Sequence, residues 1–253
     1  SFDSHGLKLS GVVRIPDNAK GKVPAFLLLH GFGSNKEAHW MYLTAELLAK
    51  WGYASIRFDM RGCGESEGER GRVICLEQVE DTSSALTYMA SRAEIDPARI
   101  GVLGHSFGAA VAVYAAGVDS RLAACISSGG WGDGPKKFRK QHASPEAWAQ
   151  FTDMLAKGRA HREKTGTSLM VPRGDIVPLP PGLKRQLVPG SLQAFTAETA
   201  QSMFDFRAED VVHQMSPRPL MLLHSSVDSV TPTEQSLDLF AKAKMPTDLH
   251  LFG

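Results

Sequence analysis

Apolar residues recur along this chain with two different periods, and their alternation predicts a layered α/β fold. Leu7 to Ile15 alternates apolar and polar positions, as one half-exposed edge strand would. Pro24-Ala-Phe-Leu-Leu-Leu-His30 and Arg99 to Gly104 are short apolar runs of the kind that parallel strands show when both faces are covered. Tyr53 to Met60, Leu122 to Ser128, Arg218 to His224 and Thr247 to Phe252 read as further strands. Helical stretches lie between them. One starts at the capping-box spacing Ser34 to Glu37 and runs to about Trp51, where Gly52 supplies the left-handed stop. Leu76 to Ala93 is amphipathic, Asp96-Pro97 is a turn, and Phe107 to Gly117 is a helix rich in Ala and Gly. Thr231-Pro-Thr-Glu234 starts the last helix, with Thr231 as N-cap and Pro at the first position. Strand and helix in turn imply a mostly parallel, twisted sheet with helices on both faces.

Between Gly129 and Pro217 the alternation fails. Ser144-Pro145-Glu146 starts a helix whose apolar stripe is Trp148, Phe151, Met154 and Leu155. Leu169 to Pro189 carries five prolines and no helical period, and a short helix is expected from Ala197 to Asp205. An irregular insertion between two sheet strands reads as a lid. Residues 1–129 and 218–253 are therefore expected to form the core, and 130–217 a helical cap. The cap aromatics Trp131, Trp148, Phe151, Phe195, Phe204 and Phe206 read mainly as packing against the body. Its basic run, Lys136, Lys137, Arg139 and Lys140, reads as a solvated face, with attraction of an anionic substrate as the alternative.

Composition narrows the function. With 43% hydrophobic residues in 253, one large core is expected. Lys and Arg number 28 against 27 Asp and Glu, which gives no reason to expect nucleic acid or an anionic membrane as partner. No apolar run approaches the roughly 18 residues of a membrane span. Cys63, Cys75 and Cys125 are odd in number and widely spaced, which suggests reduced thiols in a cytoplasmic protein. The chain opens at Ser1 rather than Met, so an N-terminal signal lost from the sequence stays open. No Cys or His pair has ligand spacing, so no metal is expected. Composition leaves the oligomeric state open.

The sharpest local signal is Gly104-His105-Ser106-Phe107-Gly108, which follows a buried strand and opens a small-residue helix. A strand-to-helix turn this tight needs small neighbours, and it lifts the Ser106 hydroxyl to the positive end of a helix. A glycine-rich turn that happens to contain serine is the bland reading, and the strand-turn-helix context argues against it. His30-Gly31-Phe32-Gly33, at the end of an earlier strand, can turn backbone amides toward the same point. The N–H groups of Phe32 and Phe107 are the expected oxyanion donors. Asp228 follows the strand ending at His224, which puts it on the same sheet edge as Ser106. There it can orient a base histidine. A loop aspartate capping a helix is the alternative, disfavoured because Thr231 fills that role.

In chain order, His30-Gly-Phe-Gly33, Asp59-Met-Arg-Gly-Cys-Gly-Glu-Ser66, Gly104-His-Ser-Phe-Gly108 and Asp228 before Val230-Thr-Pro232 resemble the α/β-hydrolase superfamily. The likeness is to bacterial serine hydrolases related to dienelactone hydrolases and X-prolyl dipeptidyl peptidase-like esterases. It implies an α/β-hydrolase fold, Ser106 as nucleophile, Asp228 as triad acid, and His30 and His105 as residues shaping the site. It also implies that Asp59 braces the neighbouring loop. Serine at position 106 argues against haloalkane dehalogenase-like chemistry.

The superfamily places its base histidine after the last strand. Only His250 follows Asp228, inside the run Asp248 to Phe252 that reads as strand. The base is therefore expected beyond Gly253 in a longer natural chain, with His250 as the fallback. The expected activity is hydrolysis of a carboxylic ester through an acyl-enzyme, on a small-molecule substrate and without cofactor. Thioesterase, peptidase or acyltransferase chemistry on the same site, or a non-catalytic receptor, remain alternatives.

Overall fold

The computed structural model describes residues 1–180, 182 and 187–253, so part of the proline-rich stretch lies outside the described residues. Its frame is a seven-stranded sheet. The strands are β3 (Gly11–Arg14), β4 (Val23–Leu29), β5 (Ala54–Phe58), β6 (Ile95–His105), β7 (Cys125–Ser128), β10 (Leu220–Ser225) and β11 (Thr247–Phe252). They lie in the order β11-β10-β7-β6-β4-β5-β3, parallel throughout except where β3 runs antiparallel to β5. The continuous apolar runs became the central strands: Leu27, Leu28 and Leu29 of β4 are fully buried. One face packs α1 (His39–Lys50) through Met41, Ala45 and Leu48 against Leu28. The other packs α2 (Cys75–Ala90) and α3 (Phe107–Val118) in the main core.

Several local expectations gave way to longer-range partners. The edge strand expected over residues 7–15 is broken at Ser10, whose N–H donates to Ser66 Oγ and whose carbonyl accepts from the Asp59 amide. Before the break β2 (Leu7–Leu9) pairs with β1 (Phe2–Ser4), and after it β3 joins the main sheet. The capping box at Ser34 does not form. Asn35 Oδ1 accepts from the Glu37 amide, Glu37 reaches Arg57, and α1 begins after Ala38 without a side-chain cap. Asp96-Pro97 does not precede a strand but bulges within β6, whose pairing with β4 jumps from Ile95 to Ile100. The last helix spans Glu234–Lys242 behind Thr233, not behind Thr231.

Between β7 and β10 lie α4 (Gly134–Gln141), α5 (Pro145–Thr165), the antiparallel pair β8 (Met170–Pro172) and β9 (Ala194–Thr196), and the helix Ala197–Asp205. Ser144 caps α5 as expected, accepting from the Ala147 amide, and the helix at 197–205 has the expected bounds. The basic run is α4 itself, capped by Asp133. Phe138, Phe151 and Phe195 of this region belong to the same buried cluster as the sheet, so the two share one core. No helix among the described residues is long and apolar enough to cross a membrane.

Among the described glycines, the closest neighbour a Cβ would meet is backbone. A Cβ on Gly104 would lie 2.0 Å from Gly108 O, and one on Gly108 would lie 2.3 Å from Leu29 O and 2.6 Å from His30 O. Both neighbours are main chain and cannot swing aside. Gly108→Ala should therefore lower stability by at least about 1–3 kcal/mol. Gly174→Ala, where a Cβ meets nothing within 4 Å, should stay within about 0.5 kcal/mol. Urea midpoints of the two variants check the contrast, and equal midpoints would remove the steric argument.

Candidate active site

Ser106 stands between β6 and α3 with φ 54° and ψ −114°, a left-handed conformation that side chains other than glycine rarely adopt. Strain of this kind costs about 1–3 kcal/mol and needs surroundings that enforce it. The enforcement is visible. The Ser106 amide donates to Ser128 O at the end of β7 (2.8 Å), and the Ser106 carbonyl accepts from the Ala109 amide (3.0 Å). The flanking glycines let α3 start directly against β4. Among the described residues the Ser106 hydroxyl and the Phe107 amide have no hydrogen-bond partner.

The loop 31–35 lies alongside: a Cβ on Gly31 would be 3.8 Å from Ser106 Cβ. The Phe32 amide likewise has no acceptor among the described residues, and the Phe32 and Phe107 rings touch at 5.8 Å between centres. His30 is fully buried beneath the loop. Its Nε2 lies 3.1 Å from the Met60 N–H and must accept there, which leaves Nδ1 to donate to Gly31 O at 2.8 Å. Burial lowers its pKa, against the opposing pull of the Gly31 bond and the Asp59 charge. His30 is therefore a neutral strut with both nitrogens occupied. Asp59, fully buried, accepts from the Lys36 amide (2.5 Å), Lys36 Nζ (3.0 Å) and the Glu65 amide (2.8 Å), tying this loop to the next.

A third support comes from the segment between β7 and β10. Arg173 donates through Nη2 to Phe32 O (2.8 Å) and through Nη1 to Leu192 O (3.1 Å), while the Leu192 amide donates to Gly33 O (2.8 Å). The guanidinium lies 5.1 Å from the Phe32 ring centre and 5.8 Å from that of Phe195, which stacks on the Phe32 ring at 4.0 Å. Burial lowers the Arg173 pKa to about 10, still far above neutrality, so the clamp stays charged. Nothing in the local sequence marks Arg173; its partners are 141 and 19 residues away.

Asp228 sits past the end of β10. Its Oδ1 accepts from the Val230 and Thr231 amides (2.7 and 2.8 Å), so one oxygen does perform a local turn role while Thr231 caps no helix. The other, Oδ2, lies 3.5 Å from His224 Nε2 and faces Gly129, where a Cβ would be 3.8 Å away. Gly129 follows Ser128, so the carboxylate and the serine flank the end of β7. Burial works to raise the Asp228 pKa, but the His224 contact and the two amides outweigh it and hold the carboxyl below its ordinary range.

The histidines divide clearly. His224 is buried, with Nε2 donating to Thr231 O (3.0 Å) and Nδ1 2.6 Å from Ser236 Oγ, so both nitrogens are taken. His105 lies next to the serine with Nδ1 3.4 Å from Ser128 Oγ and its ring against Trp40. His250 is exposed on the outer strand, paired with Leu223, two residues short of the Ser225–Phe252 pair that ends the ladder. Ser106, the amides of Phe32 and Phe107, and Asp228 are thus gathered on the carboxyl edge of the sheet, and His250 is not.

The model of a family described as alpha/beta hydrolase fold matches residues 24–251. The chain is 33% identical over 70% of its length to the quorum-quenching protein AidA of Acinetobacter baumannii, and it covers 56% of that protein. It is 29% identical over 98% of its length to the thiohydrolase aneE of Aspergillus aculeatus, covering 81% of it. Among solved structures, the α/β hydrolase GrgF of Penicillium sp. aligns with a TM-score of 0.77 at 24% identity, covering 97% of this chain and 89% of that one. The hypothetical protein PA2218 of Pseudomonas aeruginosa aligns at 0.82 and 23% identity, covering 99% and 83%. A match across nearly the whole sheet and its connections identifies the chain as a member of the α/β-hydrolase superfamily.

Proposed function

We propose that the protein is a serine hydrolase that cleaves a carboxylic ester or a related acyl bond through an acyl-enzyme. The observation that carries this reading is the strained turn at Ser106, beside two backbone donors, Phe32 N–H and Phe107 N–H, that have no protein acceptor among the described residues. Strain maintained at a hydroxyl, with unpaired amides around it, suits a tetrahedral intermediate better than it suits a structural turn. In the proposed reaction Ser106 Oγ attacks the acyl carbon while a histidine takes its proton. The carbonyl oxygen gains charge between the two amides. The histidine then protonates the leaving group, and water repeats the sequence to release the acid. Asp228 Oδ2 holds the imidazole and stabilises its charged form. The base in this reading is the histidine expected beyond Gly253, with His250 as the alternative within the chain. Residues 130–217 are proposed to shape the substrate pocket as a cap.

A second reading shares the same first step. The thiohydrolase name of the relative matched over 98% of the chain supports a thioester as the acyl donor. Rates on matched butyryl esters and thioesters, with and without an added alcohol acceptor, separate hydrolysis from transfer and ester from thioester.

A fluorophosphonate probe should label the protein extended by its native downstream sequence, and Ser106→Ala should abolish labelling and p-nitrophenyl butyrate turnover. Persistent labelling of Ser106→Ala would reject the assignment. Asp228→Asn is expected to lower kcat by about 10⁴. Full turnover by the 253-residue chain that is lost in His250→Ala would move the base to His250. Arg173→Met, which frees Phe32 O, should cost about tenfold in kcat with little change in KM, less than the 10²–10³ lost when an oxyanion donor is removed outright. An unchanged kcat would show that the clamp does not position the loop.

A further inference from the structure

The turn that carries Asp228 is held from two sides. Asp228 Oδ1 takes the Val230 and Thr231 amides at 2.7 and 2.8 Å. From α4, Gln141 Nε2 donates to Val230 O (2.5 Å). Gln141 is steadied in turn by Lys137. Its neighbours Lys136 and Lys140 pair with Asp238 and Glu234 at the surface. Lys137 instead turns inward and is 2% exposed, with Nζ 2.7 Å from Gln141 Oε1 and 4.0 and 5.0 Å from the centres of the Phe138 and Trp131 rings. On the other side of the turn stands His224, buried near the end of β10 and four residues before the acid.

The partners of His224 place its hydrogen. Nε2 lies 3.0 Å from Thr231 O and 3.5 Å from Asp228 Oδ2. A carbonyl only accepts, and so does a carboxylate held below its ordinary pKa range, so Nε2 carries the hydrogen. Nδ1 faces Ser236 Oγ at 2.6 Å, on the helix Glu234–Lys242. With one nitrogen tied to that helix and the other to the turn, the ring cannot flip without leaving a buried polar group unpaired. The carboxylate itself is only half fixed by its amides. Two bonds to Oδ1 hold that oxygen and leave the tilt of the carboxylate plane to whatever meets Oδ2. Among the described residues no other protein donor bonds to Oδ2. At 3.5 Å the His224 N–H orients this oxygen through charge and dipole without saturating it, which leaves a lone pair for a second imidazole.

We propose that His224 is a positioning residue for Asp228: its Nε2–H sets the direction of Oδ2, the oxygen that receives the imidazole of the base. This rests on the acyl-transfer reading, in which Asp228 is the acid. Ser236 completes the arrangement by holding the ring from behind. His224 takes no proton from the substrate or from Ser106, and its effect passes through the carboxylate. His30, by contrast, joins two main-chain groups and aims no side chain.

A double-mutant cycle on the protein extended by its native downstream sequence tests this. With p-nitrophenyl butyrate, His224→Phe should lower kcat about tenfold or more and leave KM within about twofold, as expected for a misaimed group rather than a lost binding contact. His224→Gln, which keeps an N–H, should recover kcat to within about threefold of the unsubstituted protein. In the Asp228→Asn background His224→Phe should cost less than about twofold further, because the group it aims is gone. Ser236→Ala, which leaves the ring in place, should show the same dependence on Asp228 with a smaller loss, and it carries the cycle if His224→Phe lacks a urea transition. Equal losses in both backgrounds, or an unchanged kcat in His224→Phe, would overturn the proposal. Nitrogen-15 NMR of the same protein should find the His224 hydrogen on Nε2, and a hydrogen on Nδ1 with Nε2 bare would overturn it without any turnover. An unchanged kcat in Asp228→Asn alone would instead reject Asp228 as the acid, so the two failures give different results.

Discussion

The approach of α3 to β4 leaves no room for a single carbon atom between Gly108 and the carbonyls of Leu29 and His30. That contact sets the distance between the two connections that meet at the sheet edge. The β6–α3 turn must close so sharply that Ser106 is driven to positive φ, and the loop after β4 is brought within van der Waals reach of its side chain. The conformational cost at Ser106 is offset by burial of α3, in which ten of twelve residues are inaccessible. A helix of Ala, Gly and Val can be buried all round where one with larger side chains could not. Small residues in α3 and strain at Ser106 are thus two results of one packing constraint.

The loop 31–35 depends on three supports of different chemistry. His30 holds it from below as a neutral hydrogen-bonded strut. Lys36 and Asp59 form a buried ion pair at its far end; removal of Lys36 would leave the fully buried Asp59 carboxylate without its counter-charge, at about 3–5 kcal/mol, whereas Lys36 would keep Glu65 at 2.6 Å. Arg173 and Leu192 hold its carbonyls from above. The Phe32 amide shares its peptide plane with the Gly31 carbonyl, which accepts from His30 Nδ1 and from the Ser34 amide, while the bonds to Phe32 O and Gly33 O fix the two planes that follow.

The sheet was legible because parallel strands covered on both faces write themselves as apolar runs, as in Phe26 to Leu29. The Ser106 turn was legible because its sterics are confined to five consecutive residues. Ser34 and Thr231 were misread for a common reason: their patterns are local, but the residues around them are claimed from afar. Asn35 donates to Pro189 O and the Lys36 amide goes to Asp59, while Thr231 is engaged by Asp228 and His224. Lys137 read as solvated because no short-range rule distinguishes it from Lys136. Only the arrival of Phe138, Trp131 and the acid turn around it makes it interior. Asp228 was placed on the right edge for an incomplete reason, since one of its oxygens does serve the turn that Thr231 was expected to serve.

The core that residues 130–217 share with the sheet also limits how that region can move. Phe138, Phe151 and Phe195 are sealed into the same apolar cluster as the strands. Exposing rings of this size costs about 1.5–3 kcal/mol each. Lifting the region as one rigid flap would therefore use up a large share of the roughly 5–15 kcal/mol that holds a domain folded. Movement of this region would therefore proceed by small, local yielding of side chains and short segments, not by hinging of the whole.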